Sequence, residues 1–160
     1  MHVAREQGKH IIFNPAPALL IPDFAYQDID TLIMNETEAR LLGQDPRDPH
    51  SSETSDLSPL LSKFLRLGVK DAVIITLGGQ GVIYATADGK EGVVPARKVK
   101  VVDTTAAGDT FLGAYAAKRA EHVGEGFDYE AALGFATFAA SKTVERKGAM
   151  AAIPYLKELQ

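Results

Sequence analysis

The sequence contains no cysteine. Disulfides and cysteine-based zinc sites are therefore excluded, and the composition agrees with a reducing interior. No apolar run reaches the roughly 20 residues that cross a bilayer. The opening stretch, Met1 to His10, is polar and charged and lacks the apolar centre of a signal peptide. A soluble cytoplasmic protein is the expectation, with the nucleus as an alternative compartment and no membrane partner. Basic clusters are also missing: Arg97, Lys98 and Lys100 are too few to form one, and the net charge is −4. Nucleic acid is accordingly not an expected partner. The four histidines, His2, His10, His50 and His122, show no metal-ligand spacing and read as solvated or loop residues. There is no internal repeat.

The 160 residues suit one domain with a substantial core, and 46% hydrophobic against 24% charged residues is the balance of a soluble globular chain. Ile11-Ile12-Phe13, Leu32-Ile33-Met34 and Ala72 to Leu77 read as buried strands, with Val82-Ile83-Tyr84 as a further strand. Val99 to Val102 alternates like a half-exposed strand. Pro15, Pro17 and Pro22 keep their stretch out of regular structure. Helices are expected from Asn35 to about Leu42, from Leu57 to Leu67 with Gly68 as its stop, from about Gly108 to Glu121, and from Tyr129 to about Val144. Gly124 and Gly126 interrupt the last two, and Pro154 starts a final short helix. Gln44 to Ser58, rich in Pro, Ser, Asp and Glu, reads as an exposed loop, and Asp88-Gly89 as a turn. Strands alternating with helices predict an α/β fold with helices on both faces of a mostly parallel sheet. Such folds bind ligands beyond the carboxyl ends of their strands.

Three segments sit at such ends. Asp103-Thr104-Thr105-Ala106-Ala107-Gly108-Asp109 is made of small residues that let backbone amides face a cavity. The helix that starts there adds the positive end of its dipole, so the segment can form an anion hole for phosphoryl oxygens. Asp109, in the first turn, can accept a proton from an attacking hydroxyl. Read alone, Asp109 is a helix cap, and Asp103 a turn former. Asn35-Glu36-Thr37-Glu38 places an amide and a carboxylate together, and without other context is a capped helix start. Gly78-Gly79-Gln80-Gly81 admits phosphate or adenine near the backbone, or is a plain turn. It is not a Walker A loop, because the Gly-Lys-Ser/Thr ending is missing.

Taken together, these segments resemble the phosphofructokinase-B-type carbohydrate kinases, the ribokinase family. Asp103 to Phe111 fills every fixed place of that family's Asp-Thr-x-(Gly/Ala)-Ala-Gly-Asp-x-Phe signature. Asn14-Pro15-Ala16-Pro17-Ala18, Asn35-x-x-Glu38, Thr76 to Gly81, and Arg146-Lys147-Gly148-Ala149 match further family segments in order. The resemblance implies a three-layer fold and an ATP-dependent sugar kinase acting on a primary hydroxyl, with D-ribose favoured over fructose, a nucleoside or another small alcohol. It implies Asp109 as the base, with Ala106, Ala107 and Gly108 as the anion hole. Asn35, Thr76, Gly78, Gly79, Gly81, Gly108 and Thr137 fall at nucleotide positions, and Glu38 at one that orients water on Mg2+. Asp103, Thr105, Thr143, Arg146, Gly148 and Ala152 fall at a K+ site. Two departures are plain: Ala152 stands where a serine is common, and Thr137 where a His or Asn is common.

The resemblance also implies that residues 1–160 form the C-terminal part of a kinase domain. The family's opening half, with its Gly-Gly-x-x-x-Asn sugar segment and β lid, has no counterpart here. Homodimers in the full-length protein would form through that lid. For this chain alone, a non-catalytic nucleotide-binding module is the alternative expectation.

Overall fold

Two runs of four consecutive buried residues, Thr31–Met34 and Ala72–Ile75, dictate the middle of the sheet. A strand with both faces buried belongs in a covered parallel sheet rather than at a half-wet edge. The computed structural model describes residues 1–44, 56–122 and 126–160. In it, β1 (Ile12–Phe13), β2 (Thr31–Asn35), β3 (Ala72–Thr76), β4 (Gly81–Thr86) and β5 (Glu91–Pro95) form a five-stranded sheet in that order. β1, β2 and β3 are parallel, with Ile12 beside Thr31 and Thr31 beside Ala72. A single turn at Gly78–Gln80 links β3 to β4. The turn from β4 to β5 is closed by the Thr86 amide donating to the Lys90 carbonyl at 2.8 Å. Links this short join antiparallel neighbours, so the sheet is mixed.

The backbone forms two compact units: Met1–Leu77 with Ile83–Val93, and Gly78–Val82 with Val94–Gln160. In the first, α1 (His2–Glu6) precedes the sheet, α2 (Glu36–Leu42) follows β2 directly, and α3 (Ser58–Leu67) precedes β3. α3 buries Leu60, Leu61 and Phe64 along one face, the stripe that helical spacing requires. Gly68 stops it in the left-handed region, at φ 117°, where a side chain would also press on Gln27. The Phe64 ring meets Tyr26, itself buried, with centroids 5.5 Å apart. Ile29, Leu32, Met34, Val73 and Ile75 complete this core.

In the second unit, α4 (Ala107–Glu121) packs on α5 (Tyr129–Val144). α5 turns Ala132, Ala136, Ala139 and Thr143 inward, a row at helical spacing whose small side chains allow close approach. The Thr143 hydroxyl donates to the buried Thr110 hydroxyl of α4 at 2.9 Å.

One expected element is corrected. Val99 to Val102 is not a strand; Val101 and Val102 are exposed, and the Val102 amide bonds the Val144 carbonyl at 2.7 Å. Its alternating pattern is that of a strand, but its amide finds a helix end instead of a neighbouring strand. The strand is Glu91–Pro95, whose Gly92 weakens the sequence signal. Gly92 is there for space: a Cβ would meet the Tyr84 ring at 2.9 Å. The helix α1 and a 3-10 turn at Asp23–Asp28 were not expected from the sequence. After Pro154 comes one 3-10 turn, Leu156–Glu158. The expected loop over Gln44 to Ser58 lies, for residues 45–55, outside the described residues, as does the break at Gly124.

Phe64→Ala should lower unfolding free energy by about 3–5 kcal/mol, the usual loss for an aromatic removed from a closed core. Urea unfolding followed by circular dichroism measures it, and a loss under about 1 kcal/mol would mean that the site collapses around the gap.

Candidate functional site

The parallel register brings three of the expected residues to one place. Asn35, the last residue of β2, pairs with Thr76, the last of β3, and Glu38 lies in the first turn of α2 directly after. Asn35 Oδ1 accepts from the Glu38 amide at 2.9 Å, and the Asn35 amide donates to Glu38 Oε2 at 2.8 Å. This is a reciprocal capping box, so the plain helix-start reading is present in full. It leaves the Asn35 Nδ2 group and Glu38 Oε1 outside the box, at the carboxyl ends of the strands. Thr76 donates its hydroxyl to the Met34 carbonyl at 3.4 Å.

The second unit holds the segment from Asp103 to Asp109. Asp103 Oδ1 accepts from the amide and the hydroxyl of Thr105, at 2.9 and 2.7 Å. Asp103 Oδ2 accepts from the Gly148 amide at 2.9 Å. The Gly148 amide first, then the two Thr105 donors, hold the carboxyl down from 3.8 to about 2. The Val144 carbonyl accepts from the amides of both Val102 and Asp103, so the turn before α4 is fastened to the end of α5 at two places.

Ala106 is the N-cap of α4 and lies in the left-handed region at φ 63°, with no side-chain cap. An alanine there costs about 1–2 kcal/mol, and strain of this kind persists only where surrounding contacts enforce it. The Ala106 carbonyl accepts from the amide and hydroxyl of Thr110, both at 2.9 Å. The Ala107 amide donates to Thr104. The next two amides, of Gly108 and Asp109, have no acceptor among the described residues, as the first turn of a helix leaves them. Both residues are exposed. A Cβ at Gly108 would meet nothing within 4 Å. The Asp109 carboxylate caps nothing: it sits three residues past the N-cap and bonds no described residue. The helix-cap alternative for Asp109 therefore fails, while the turn-forming reading of Asp103 holds alongside its wider role.

The glycine turn divides. Gly78 and Gly79 are exposed and a Cβ at either would meet open space. Gly81 is required by packing: at φ 109° its Cβ would strike the Val94 carbonyl and come within 2.6 Å of the Ala96 amide. Thr137 is buried in α5, and its hydroxyl has no partner among the described residues. Near Gly148, Thr143 accepts at its carbonyl from the Arg146 amide at 3.1 Å, and the Arg146 side chain is drawn to Glu158. Ala152 is fully buried at the end of a 3-10 turn.

Comparison with known proteins gives the class. Over residues 1–156 the chain matches the pfkB family carbohydrate kinases. It is 40% identical to a ribokinase of Schizosaccharomyces pombe over 159 residues, 99% of this chain and 48% of that protein. Its fold is similar to that of Arabidopsis thaliana ribokinase, solved with ribose and ATP, with a TM-score of 0.83, 32% identity, and coverage of 99% of this chain and 48% of that one. A candidate ribokinase II of Escherichia coli in complex with ATP and Mg2+ superposes with a TM-score of 0.76 at 29% identity, covering 99% of this chain and 49% of that one. The chain belongs to the pfkB family of carbohydrate kinases, and its α/β fold is ribokinase-like. It spans about half the length of the curated relatives it matches.

Two outcomes are expected from this geometry. Ala106→Gly should stabilise the fold by about 0.5–1 kcal/mol, the relieved left-handed strain less the added chain entropy, whereas Ala106→Val should destabilise it in the same urea titration. Asp103 has a folded value below its ordinary one, so its contribution is complete above pH 3.8 and is lost as pH falls toward about 2. In Asp103→Asn the decline in the urea midpoint across that interval should be shallower than in the unmodified chain.

Proposed function

We propose that this chain carries the nucleotide-binding and catalytic half of an ATP-dependent sugar kinase, which phosphorylates the primary hydroxyl of D-ribose to give ribose 5-phosphate. One observation carries the reading: an exposed carboxylate, Asp109, that bonds no described residue, beside two amides at the start of α4 without an acceptor among the described residues. Asp109 takes the proton of the sugar hydroxyl as that oxygen attacks the terminal phosphorus of ATP and the bond to the bridging oxygen breaks, releasing ADP. The amides of Gly108 and Asp109, presented by the turn at Ala106 and Ala107, donate to the phosphoryl oxygens as charge shifts onto them. Positioning and fixed dipoles then supply most of the acceleration.

The residues present fit the groups that this reaction needs. Gly78, Gly79 and Gly108 face open space, as backbone that admits phosphate or adenine must. Glu38 keeps one carboxylate oxygen outside its capping box, an oxygen donor of the kind that a hard ion such as Mg2+ holds through water. Bound Mg2+ would neutralise phosphate charge. Asp103 and the carbonyls of Thr105, Thr143, Arg146, Gly148 and Ala152 are an all-oxygen set suited to K+, which would reinforce the turn that Asp103 already holds. Asn35 and Thr76 belong to the nucleotide side of the same reading, and so does Thr137, whose buried hydroxyl has no partner among the described residues. A cytoplasmic location, and pairing of two full-length copies, complete it.

The relatives solved with ribose and ATP and with ATP and Mg2+ support this substrate pair. A second reading has its own support: the chain spans 48% of its yeast relative, which favours a nucleotide-binding module for the chain by itself. Calorimetry with ATP and an assay of ribose-dependent ADP release separate the two. ATP binding without ADP release by these 160 residues favours the module. In the full-length protein, Asp109→Asn should reduce turnover by at least about a thousandfold while ATP affinity changes little. Near-normal turnover in that variant overturns the assignment of the base. A substrate panel in which fructose or adenosine outranks ribose would move the specificity to another kinase of the family.

A further inference from the structure

The opposite ends of the parallel strands carry a second cluster that phosphoryl transfer does not use. His10 lies two residues before β1, Asp30 one before β2, and Asp71 one before β3. Because Thr31 pairs with Ala72, the residues just before them fall on neighbouring strands, about 4.8 Å apart in a sheet. His10 Nδ1 comes within 3.9 Å of Asp30 Oδ2 and 3.5 Å of Asp71 Oδ2. One ligand atom from each of the three residues lies within 4.8 Å of the other two. Ligand atoms about 2.1 Å from a tetrahedral zinc ion stand roughly 3.4 Å from one another. To close on such an ion, the three atoms draw in from separations of up to 4.8 Å.

The surroundings favour a prepared site over a chance meeting of surface charges. The Asp30 side chain is 8% accessible. Its Oδ1 takes the Arg5 guanidinium at 2.7 Å and its Oδ2 the Ile11 amide at 2.6 Å. Hydrogen bonds of this kind orient a ligating carboxylate. Each Asp30 oxygen has lone-pair capacity beyond one donor. A metal ion takes the imidazole in its deprotonated form; two carboxylates and one guanidinium then leave an excess negative charge that a dication offsets. The imidazole selects against Mg2+ and Ca2+, which prefer oxygen alone.

We propose that His10, Asp30 and Asp71 bind one divalent transition-metal ion, best matched by zinc, with a fourth position left to water. The ion ties β1 to β2 and β3 at their amino ends. Its residues come from three separated segments, which is why no ligand spacing shows in the sequence.

Calorimetry of the 160-residue chain with zinc chloride, and absorption spectra with Co2+ as a coloured substitute, test this. One ion per chain is expected, with Co2+ bands typical of a four-coordinate site and a zinc-dependent rise in the melting midpoint. His10→Ala and Asp71→Asn should each weaken binding by at least about tenfold with unchanged circular dichroism. His2→Ala and His122→Ala should bind as the unmodified chain does. Absence of stoichiometric binding at about 100 μM zinc, or His10→Ala binding as tightly as the parent, overturns the site. A loss of stability in His10→Ala without any zinc effect would instead make the cluster an ion-pair network, and also overturns it.

Discussion

The contact from the Gly148 amide to the Asp103 carboxylate joins two segments 45 residues apart. Together with the two Thr105 donors, it gives one charged acceptor three hydrogen bonds. Charge-assisted bonds are about twice as strong as neutral ones, so the turn before α4 is held firmly against the loop after α5. Ala106 can then keep a left-handed backbone that an unsupported alanine would abandon. That one conformation lets the chain enter α4 without a side-chain cap, and leaves the first free amides and Asp109 open to a ligand. Asp103 thus fixes the turn from which α4, and with it Asp109, begins.

The parallel strands do the corresponding work in the first unit. Parallel pairing aligns like ends, so residues far apart in sequence become neighbours at each end of the sheet. At the carboxyl ends this places Asn35 beside Thr76, and at the amino ends it places Asp30 next to Asp71. The first pair is followed at once by a helix start with oriented dipoles, the environment in which phosphate is bound. The second pair meets an imidazole and a guanidinium instead. One sheet therefore presents a capped helix start at one end and a His–Asp cluster at the other, because strand direction gives its two ends different connections.

The bland and functional readings of a motif are not always rivals. Asn35 and Glu38 form a complete capping box and still keep one group each outside it. The structural role of the pair is therefore complete without using all of its polar atoms. Gly81 teaches the reverse: its place in a glycine-rich turn looks like a ligand contact, yet backbone packing alone demands it. Family membership rests on a match over residues 1–156, and the chain spans about half the length of its curated relatives.

By itself the sequence determined the alternation of strands and helices, the buried runs of β2 and β3, the stop at Gly68, and the segment around Asp109. These are local: apolar periodicity, turn chemistry and contiguous motifs are carried by neighbours in the chain. It misplaced a strand at Val99 to Val102, because alternation reports a half-exposed segment and not what its amides will pair with. Tertiary structure alone decided that Asp103 is a tether rather than only a turn, since its decisive donor lies at Gly148. It also brought His10 to Asp30 and Asp71, because strand register is a relation between distant segments, set by how their buried faces pack and not by any residue's neighbours in sequence.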